Sequence, residues 1–128
     1  MPESAALELL MRAERADIRD VAVYAKFALA DTYFHQKKYE QALLRAYQIY
    51  DAPELSPAQR SYILYVAARS AFLTEKYHEA QAFYDRASHV SHPYVPLHKI
   101  VADQAVVKLS LQQRSEAERL ISTLDRSW

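Results

Sequence analysis

The sequence contains neither glycine nor cysteine. Tight β-hairpins, phosphate-binding loops and dinucleotide-binding turns rely on glycine for their backbone geometry, so none of the three is expected here. The absence of cysteine excludes disulfides, thiolate nucleophiles and cysteine-ligated zinc. These two absences argue against a nucleotide-binding enzyme and against a thiol-dependent one.

The chain also lacks an excess of either charge and any long apolar run. Its 16 Lys and Arg residues balance 16 Asp and Glu residues, whereas a nucleic-acid-binding domain is expected to carry a basic excess or a basic stripe. No apolar run approaches the roughly 20 residues of a membrane-spanning helix, and residues 1–4 lack the basic start of a signal peptide. We therefore expect a soluble, cytoplasmic (intracellular) protein without a membrane span that does not bind nucleic acid.

No arrangement of residues in the sequence indicates catalysis. There is no Ser-His-Asp order, no pair of carboxylates in an apolar setting and no phosphate-binding loop. His89, His92 and His98 lie close together in the sequence, but zinc requires three or four ligands in fixed geometry, and neither cysteine nor many carboxylates accompany them. We therefore expect a protein that is not an enzyme and that binds neither a metal nor a cofactor.

What the chain does contain is the apolar periodicity of helices. The pattern predicts seven helices and no strand, near residues 5–15, 20–36, 39–50, 57–73, 77–90, 97–111 and 115–124. Residues typical of helix starts stand at four of these ends: Ser4, Asp17 or Asp20, Ser56-Pro57 with Gln59, and Ser115. Charged side chains such as Arg45 and Arg60 are expected on solvated faces. The sequence thus predicts an all-α fold in a single domain, residues 1–128.

A segment of the sequence recurs at a fixed interval. Tyr39 and Ala42 open the third predicted helix, and Tyr77 and Ala80 hold the same places in the fifth, 38 residues later. A third, degenerate copy follows 37 residues further on. Self-similarity at this period is typical of a solenoid built from helical hairpins.

These copies resemble the tetratricopeptide repeat, a helix–turn–helix unit of about 34 residues. In that family small residues lie where the two helices cross, and here the crossing positions hold alanine in every copy: Ala30 and Ala42, Ala68 and Ala80, Ala105 and Ala117. The resemblance implies an α-α superhelix of about three helical hairpins plus an N-terminal helix, with units of about 22–55, 60–93 and 97–125. Gln104 and Lys108 stand where the family prefers apolar residues, which suits a capping hairpin with a wetter outer face.

The resemblance also implies which residues line the inner surface of the stack, because the first helix of each unit faces it. From the first two units these are Tyr24, Phe27, Asp31, Phe34, His35, Tyr62, Tyr65, Arg69, Phe72 and Leu73; from the third, Lys99, Ala102, Val106 and Leu109. Aromatic residues are enriched in binding hot spots, so the resemblance implies a groove for an amphipathic helix or an extended peptide. The alternative is that these rings are interior packing or are covered by the chain's own first or last helix.

Two functions follow from the resemblance. One is a non-catalytic adaptor or scaffold that binds a segment of a partner protein, or a second copy of itself as a homodimer, as in the tetratricopeptide subunits of the anaphase-promoting complex. The other is a small bacterial type III secretion chaperone that holds an export substrate. The Lys and Asn pairs with which some tetratricopeptide proteins grip a C-terminal carboxylate are replaced here by Phe27 and Asp31 and by Tyr65 and Arg69, which argues against that kind of receptor.

Overall fold

The structure, a computed structural model, describes residues 3–15, 19–90, 95–111 and 114–127. Over these ranges it consists of seven α-helices without a strand: α1 (Glu3–Ala13), α2 (Arg19–His35), α3 (Tyr39–Ile49), α4 (Pro57–Leu73), α5 (Tyr77–Ala87), α6 (Leu97–Ser110) and α7 (Arg114–Ser127). The predicted all-α fold is confirmed. None of these helices combines the length and the apolar character that a bilayer crossing requires.

A reciprocal side-chain cap stands at the start of α4. Ser56 has extended backbone angles, its Oγ accepts a hydrogen bond from the Gln59 backbone N–H at 3.1 Å, and Gln59 Oε1 accepts one from the Ser56 N–H at 2.8 Å. Pro57 then occupies the first helical position, where the missing N–H costs nothing. This reciprocal cap fixes where α4 begins.

The predicted caps at the two ends of the chain are wrong. Ser4 and Ser115 each lie one residue inside their helix, because α1 begins at Glu3 and α7 at Arg114. Asp20 lies in the first turn of α2, where its carboxylate complements the helix dipole, and Asp17 lies outside the described residues. A cap contributes only about 1 kcal/mol, so a lone serine is a weak signal for a helix start. Helix α7 also continues past the predicted end, to Ser127.

Two turns of the same geometry reverse the chain without glycine. Lys37 and Glu75 adopt left-handed backbone conformations, with φ of 62° and 64°. In the first turn the Lys38 N–H donates to Tyr33 O at 2.8 Å and the Lys37 N–H to Phe34 O at 3.0 Å; the corresponding two bonds in the second turn are 2.8 and 3.0 Å. Both are Schellman motifs. They fold α3 back against α2 and α5 back against α4.

Each helix packs on the next one along the chain, and α2 also packs on α4. The alanines at the predicted crossing positions are buried: Ala30, Ala42, Ala68, Ala80, Ala105 and Ala117. Small side chains allow helix axes to approach to about 8–10 Å. The hairpin pairing is therefore part of the structure, while a tetratricopeptide-like superhelix stays a prediction.

Two predictions about polar side chains are wrong. Arg45 is only 8% exposed, because its guanidinium lies over the Tyr33 ring and pairs with Glu14. Gln104 and Lys108 are buried as well, so the third hairpin does not present them on a wet outer face. Gln104 Nε2 donates to Asp85 Oδ1 at 2.9 Å, and Lys108 Nζ lies 3.2 Å from Glu116 Oε2. Each of these three buried polar side chains is satisfied by a partner from another part of the chain.

Candidate binding cleft

An open cleft of about 580 Å³ lies between α2 and α4. The described residues that line it are Phe27, Asp31 and His35 from α2, and Ala58, Gln59 and Tyr62 from α4. Within each helix these residues are spaced mainly by four, which places them above one another on one helix face. We call this feature the α2–α4 cleft.

One carboxylate organises the side chains of the α2–α4 cleft. Asp31 Oδ1 accepts a hydrogen bond from the Tyr62 hydroxyl, and His35 Nδ1 lies 3.2 Å from the same oxygen and 2.9 Å from the Asp31 carbonyl. The rings of Phe27 and Tyr62 contact each other, with centroids 5.9 Å apart and planes inclined by 50°. The wall of the cleft is thus a pair of rings, one of which is tied across the helix interface to a carboxylate.

Four of the ten groove residues predicted in the first two units line this cleft: Phe27, Asp31, His35 and Tyr62. Ala58 and Gln59 also line the cleft but were not among the predicted groove residues. Ala58 lies one helical turn before Tyr62, so the same four-residue spacing would have found it. Its small side chain beside the start of α4 leaves room for the cleft.

Other predicted residues pack against the body of the protein. Phe34 and Tyr65 are half-buried and meet edge to face, with centroids 6.2 Å apart. The Tyr24 hydroxyl donates to Glu54 O at 2.8 Å in the loop before α4, away from the cleft lining. Leu73 is 40% exposed and lines none of the described cleft. Phe34 and Tyr65 thus pack against each other and stay partly exposed.

The remaining predicted residues lie where α4, α5 and α6 meet, in what we call the α4–α6 region. Arg69 and Phe72 line a void of about 30 Å³ together with Tyr84, Asp103 and Val106. A void of this size has room for about one water molecule. The described cavity that predicted groove residues line is thus about 30 Å³ beside α6 and about 580 Å³ beside α2.

The chain's own side chains fill the α4–α6 region. The guanidinium of Arg69 lies 5.7 Å from the centre of the Phe72 ring, and Lys99 Nζ lies 5.7 Å from the centre of the Tyr65 ring. The Tyr84 hydroxyl donates to Asp103 Oδ2 at 3.2 Å. Burial, with the Asp103 carboxylate as a further cause, raises the pKa of Tyr84. These contacts pair the rings and charged side chains of this region with one another.

The structure gives no described group of three or more His, Asp or Glu side chains arranged to hold a metal ion. Of the histidines considered above, His92 lies outside the described residues, and His89 Nδ1 lies 2.7 Å from the Asp85 carbonyl. In the α2–α4 cleft the ionisable groups bond mainly to one another. The cleft therefore offers a shaped aromatic surface with one carboxylate.

No protein-family model matches this chain, and no curated protein or solved structure shows significant similarity to it. Its function has to be argued from its own residues.

Proposed function

We propose that this chain is a non-catalytic, cytoplasmic protein–protein interaction module, an adaptor or scaffold of tetratricopeptide-repeat type. It binds a helix or peptide segment of a partner protein in the α2–α4 cleft. The observation that supports this most is the open aromatic wall of Phe27 and Tyr62 beside a volume of about 580 Å³. Ligand sites are typically concave, largely apolar and equipped with a few convergent polar groups.

The repeat type is supported by features that recur at the interval of the sequence repeat. The left-handed turn residues Lys37 and Glu75 are 38 positions apart, and the residues that follow them have φ of −94° and −93°. The contact of α2 with α4 sets two hairpins side by side. A stack of this kind presents the first helices of successive hairpins on one surface.

Binding at the cleft is tested with a photo-crosslinking side chain, p-benzoylphenylalanine. It is placed at Ala58 in the cleft and, as the matched control, at Ala82, an exposed alanine of α5 that is not part of the cleft lining. In the native host, we expect irradiation to give an adduct of defined mass at Ala58 and none at Ala82. Equal adducts at both positions, or none at Ala58, would contradict the proposal.

Blocking the cleft provides the affinity test. Ala58→Trp adds a large side chain at an exposed position of the lining, and Ala82→Trp adds it elsewhere. We expect the first substitution to weaken binding of the crosslinked partner by about tenfold or more and the second to leave it unchanged, since hot-spot contacts lie in the centre of an interface. The intact mass of the native complex separates the two functions, because one small partner in a one-to-one complex would point to an export chaperone.

A further inference from the structure

We propose that the α2–α4 cleft receives a positively charged side chain, a lysine or arginine of a basic partner segment, at Asp31. This inference rests on the proposed function and names the chemistry of the partner. It comes from the juxtaposition of one exposed carboxylate with two aromatic rings in a cleft whose described lining residues include neither lysine nor arginine.

The charge of the cleft differs from that of the chain as a whole. The protein has a formal net charge of zero, yet the six described lining residues include Asp31 and neither lysine nor arginine. Tyr62 and His35 both contact Oδ1 of Asp31, and the Asp31 side chain is 44% exposed. Oδ2 therefore stands available to accept a hydrogen bond from an entering ammonium or guanidinium group.

The aromatic wall adds to this attraction. The face of an aromatic ring carries negative partial charge and attracts a cation within about 6 Å of its centre. Phe27 and Tyr62 contact each other and line the cleft beside Asp31. A lysine or arginine stem also has a long apolar part, which packs against ring surface while its charged end reaches a carboxylate.

The α4–α6 region shows the same kind of contact made within the chain. Tyr65 follows Phe27 by 38 residues, the interval of the repeat, and Lys99 lies over its ring at 5.7 Å. Arg69 follows Asp31 by the same interval and lies over Phe72 at 5.7 Å. Lys99 of the third unit and Arg69 of the second thus lie over rings of the second unit, and the void that Arg69 and Phe72 line is about 30 Å³. The first unit has a carboxylate at the position of Arg69 and an open volume.

The contrast between the two units decides between a cationic and an anionic partner. A partner carboxylate entering the α2–α4 cleft would approach Asp31 without a lysine or arginine in the described lining to offset the repulsion. A cationic side chain would pair with Asp31 and lie against Phe27 or Tyr62. Electrostatic complementarity of this kind selects among partners more than it adds raw affinity.

The experiment uses three alanine-based helical peptides of equal length, which carry two lysines, two norleucines or two glutamates at positions one turn apart. Each is titrated into the full chain near pH 8, where imidazoles are neutral, and amide chemical shifts are followed by NMR. We expect the lysine peptide to bind about fivefold or more tightly than the norleucine peptide, with the largest shifts at Phe27, Asp31 and Tyr62. The glutamate peptide should bind most weakly.

Asp31→Asn removes the negative charge and keeps a side-chain oxygen that accepts the hydrogen bond from the Tyr62 hydroxyl. Asp103→Asn is the matched control, because Asp103 also accepts a hydrogen bond from a tyrosine hydroxyl but lies in the α4–α6 region. We expect Asp31→Asn to abolish the preference for lysine over norleucine and Asp103→Asn to retain it. Thermal unfolding of both variants checks that the fold is intact.

Equal binding of the lysine and norleucine peptides, a preference for glutamate, or a lysine preference that survives Asp31→Asn would overturn the inference. So would the absence of shifts in the cleft with the lysine peptide. The proposed function is judged separately by the Ala58 crosslink. An adduct at Ala58 combined with any of these results would leave a binding cleft whose partner is not cationic.

Discussion

Arg45 and Glu14 form an ion pair that ties the end of α1 to the body of the fold. Their nearest atoms, Nη2 and Oε1, lie 3.2 Å apart, and the two side chains are only 10% and 14% exposed. The guanidinium also donates to Gln41 Oε1 at 2.6 Å and lies 5.2 Å from the centre of the Tyr33 ring. Helix α1 is therefore held by a polar contact as well as by its apolar side chains.

Breaking this pair from one side should destabilise the fold. Arg45→Met leaves the shielded Glu14 carboxylate without its partner, and we expect a loss of about 2–4 kcal/mol in the free energy of unfolding, measured by urea denaturation. The double variant Arg45→Met with Glu14→Met removes both charges and should recover most of that loss. If Arg45→Met unfolds at the same urea concentration as the wild type, the pair does not contribute to stability.

Glycine at the two left-handed turn positions should stabilise the protein. Lys37 and Glu75 have φ of 62° and 64°, a conformation that costs a residue with a Cβ about 1 kcal/mol or more. We expect Lys37→Gly and Glu75→Gly each to raise the free energy of unfolding by about 0.5 kcal/mol. This gain is smaller than the strain relieved, because glycine also has more conformational freedom in the unfolded chain. The measurement is again urea denaturation.

The neighbouring residue serves as the control for the turn variants. Lys38 has φ of −94°, so Lys38→Gly relieves no strain and should lower the free energy of unfolding by about 0.5–1 kcal/mol. Destabilisation by Lys37→Gly equal to that by Lys38→Gly would contradict the left-handed geometry at Lys37.

Glu54 should make stability depend on pH in the acid range. A hydrogen bond from its own backbone N–H, with a smaller contribution from Arg19, lowers the pKa of this carboxyl below its ordinary value of 4.5. The folded state thus favours the carboxylate, so the stabilisation is present above about pH 4.5 and disappears as the pH falls through the lowered pKa. We expect Glu54→Gln to lower Tm at neutral pH and to lower it progressively less as the pH falls below 4.5.

The control for this pH dependence is Glu8→Gln, at an exposed position of α1. It should change Tm little at neutral or at acid pH. A difference between wild type and Glu54→Gln that is as large in acid as at neutral pH would mean that the carboxylate charge of Glu54 is not the cause.

Much of the helical layout could be predicted because its signals are local. The apolar periodicity and the cap at Ser56 are contained within one or two helical turns, and the sequence places α4 correctly from Pro57 to Leu73. Helices α1 and α7 begin one residue before the serines predicted to cap them, because a single cap contributes only about 1 kcal/mol and is a weak signal. The glycine-free turns at Lys37 and Glu75 show that hydrogen bonds from the turn residue and from the residue after it accompany a left-handed conformation without glycine.

The cleft was predicted less well because it depends on how two distant helices align. Phe27 and Tyr62 both line it, but Phe34, two helical turns after Phe27, packs against Tyr65 instead. The burial of Arg45 was missed for the same reason, since its ion-pair partner Glu14 lies 31 residues away. Spacing along one helix indicates on which helix face a side chain lies. Which other element packs against that face is set by the tertiary arrangement.

The hydrogen bond between Tyr62 and Asp31 has a consequence for the thermodynamics of association. It fixes the tyrosine ring of the cleft wall in the free protein, so a segment that binds there meets a preorganised surface. Immobilising a flexible side chain on binding costs about 0.5–1.5 kcal/mol, and a ring already held in place avoids most of that cost. The entropic cost of binding at this wall should therefore come mainly from the conformational freedom that the incoming segment loses.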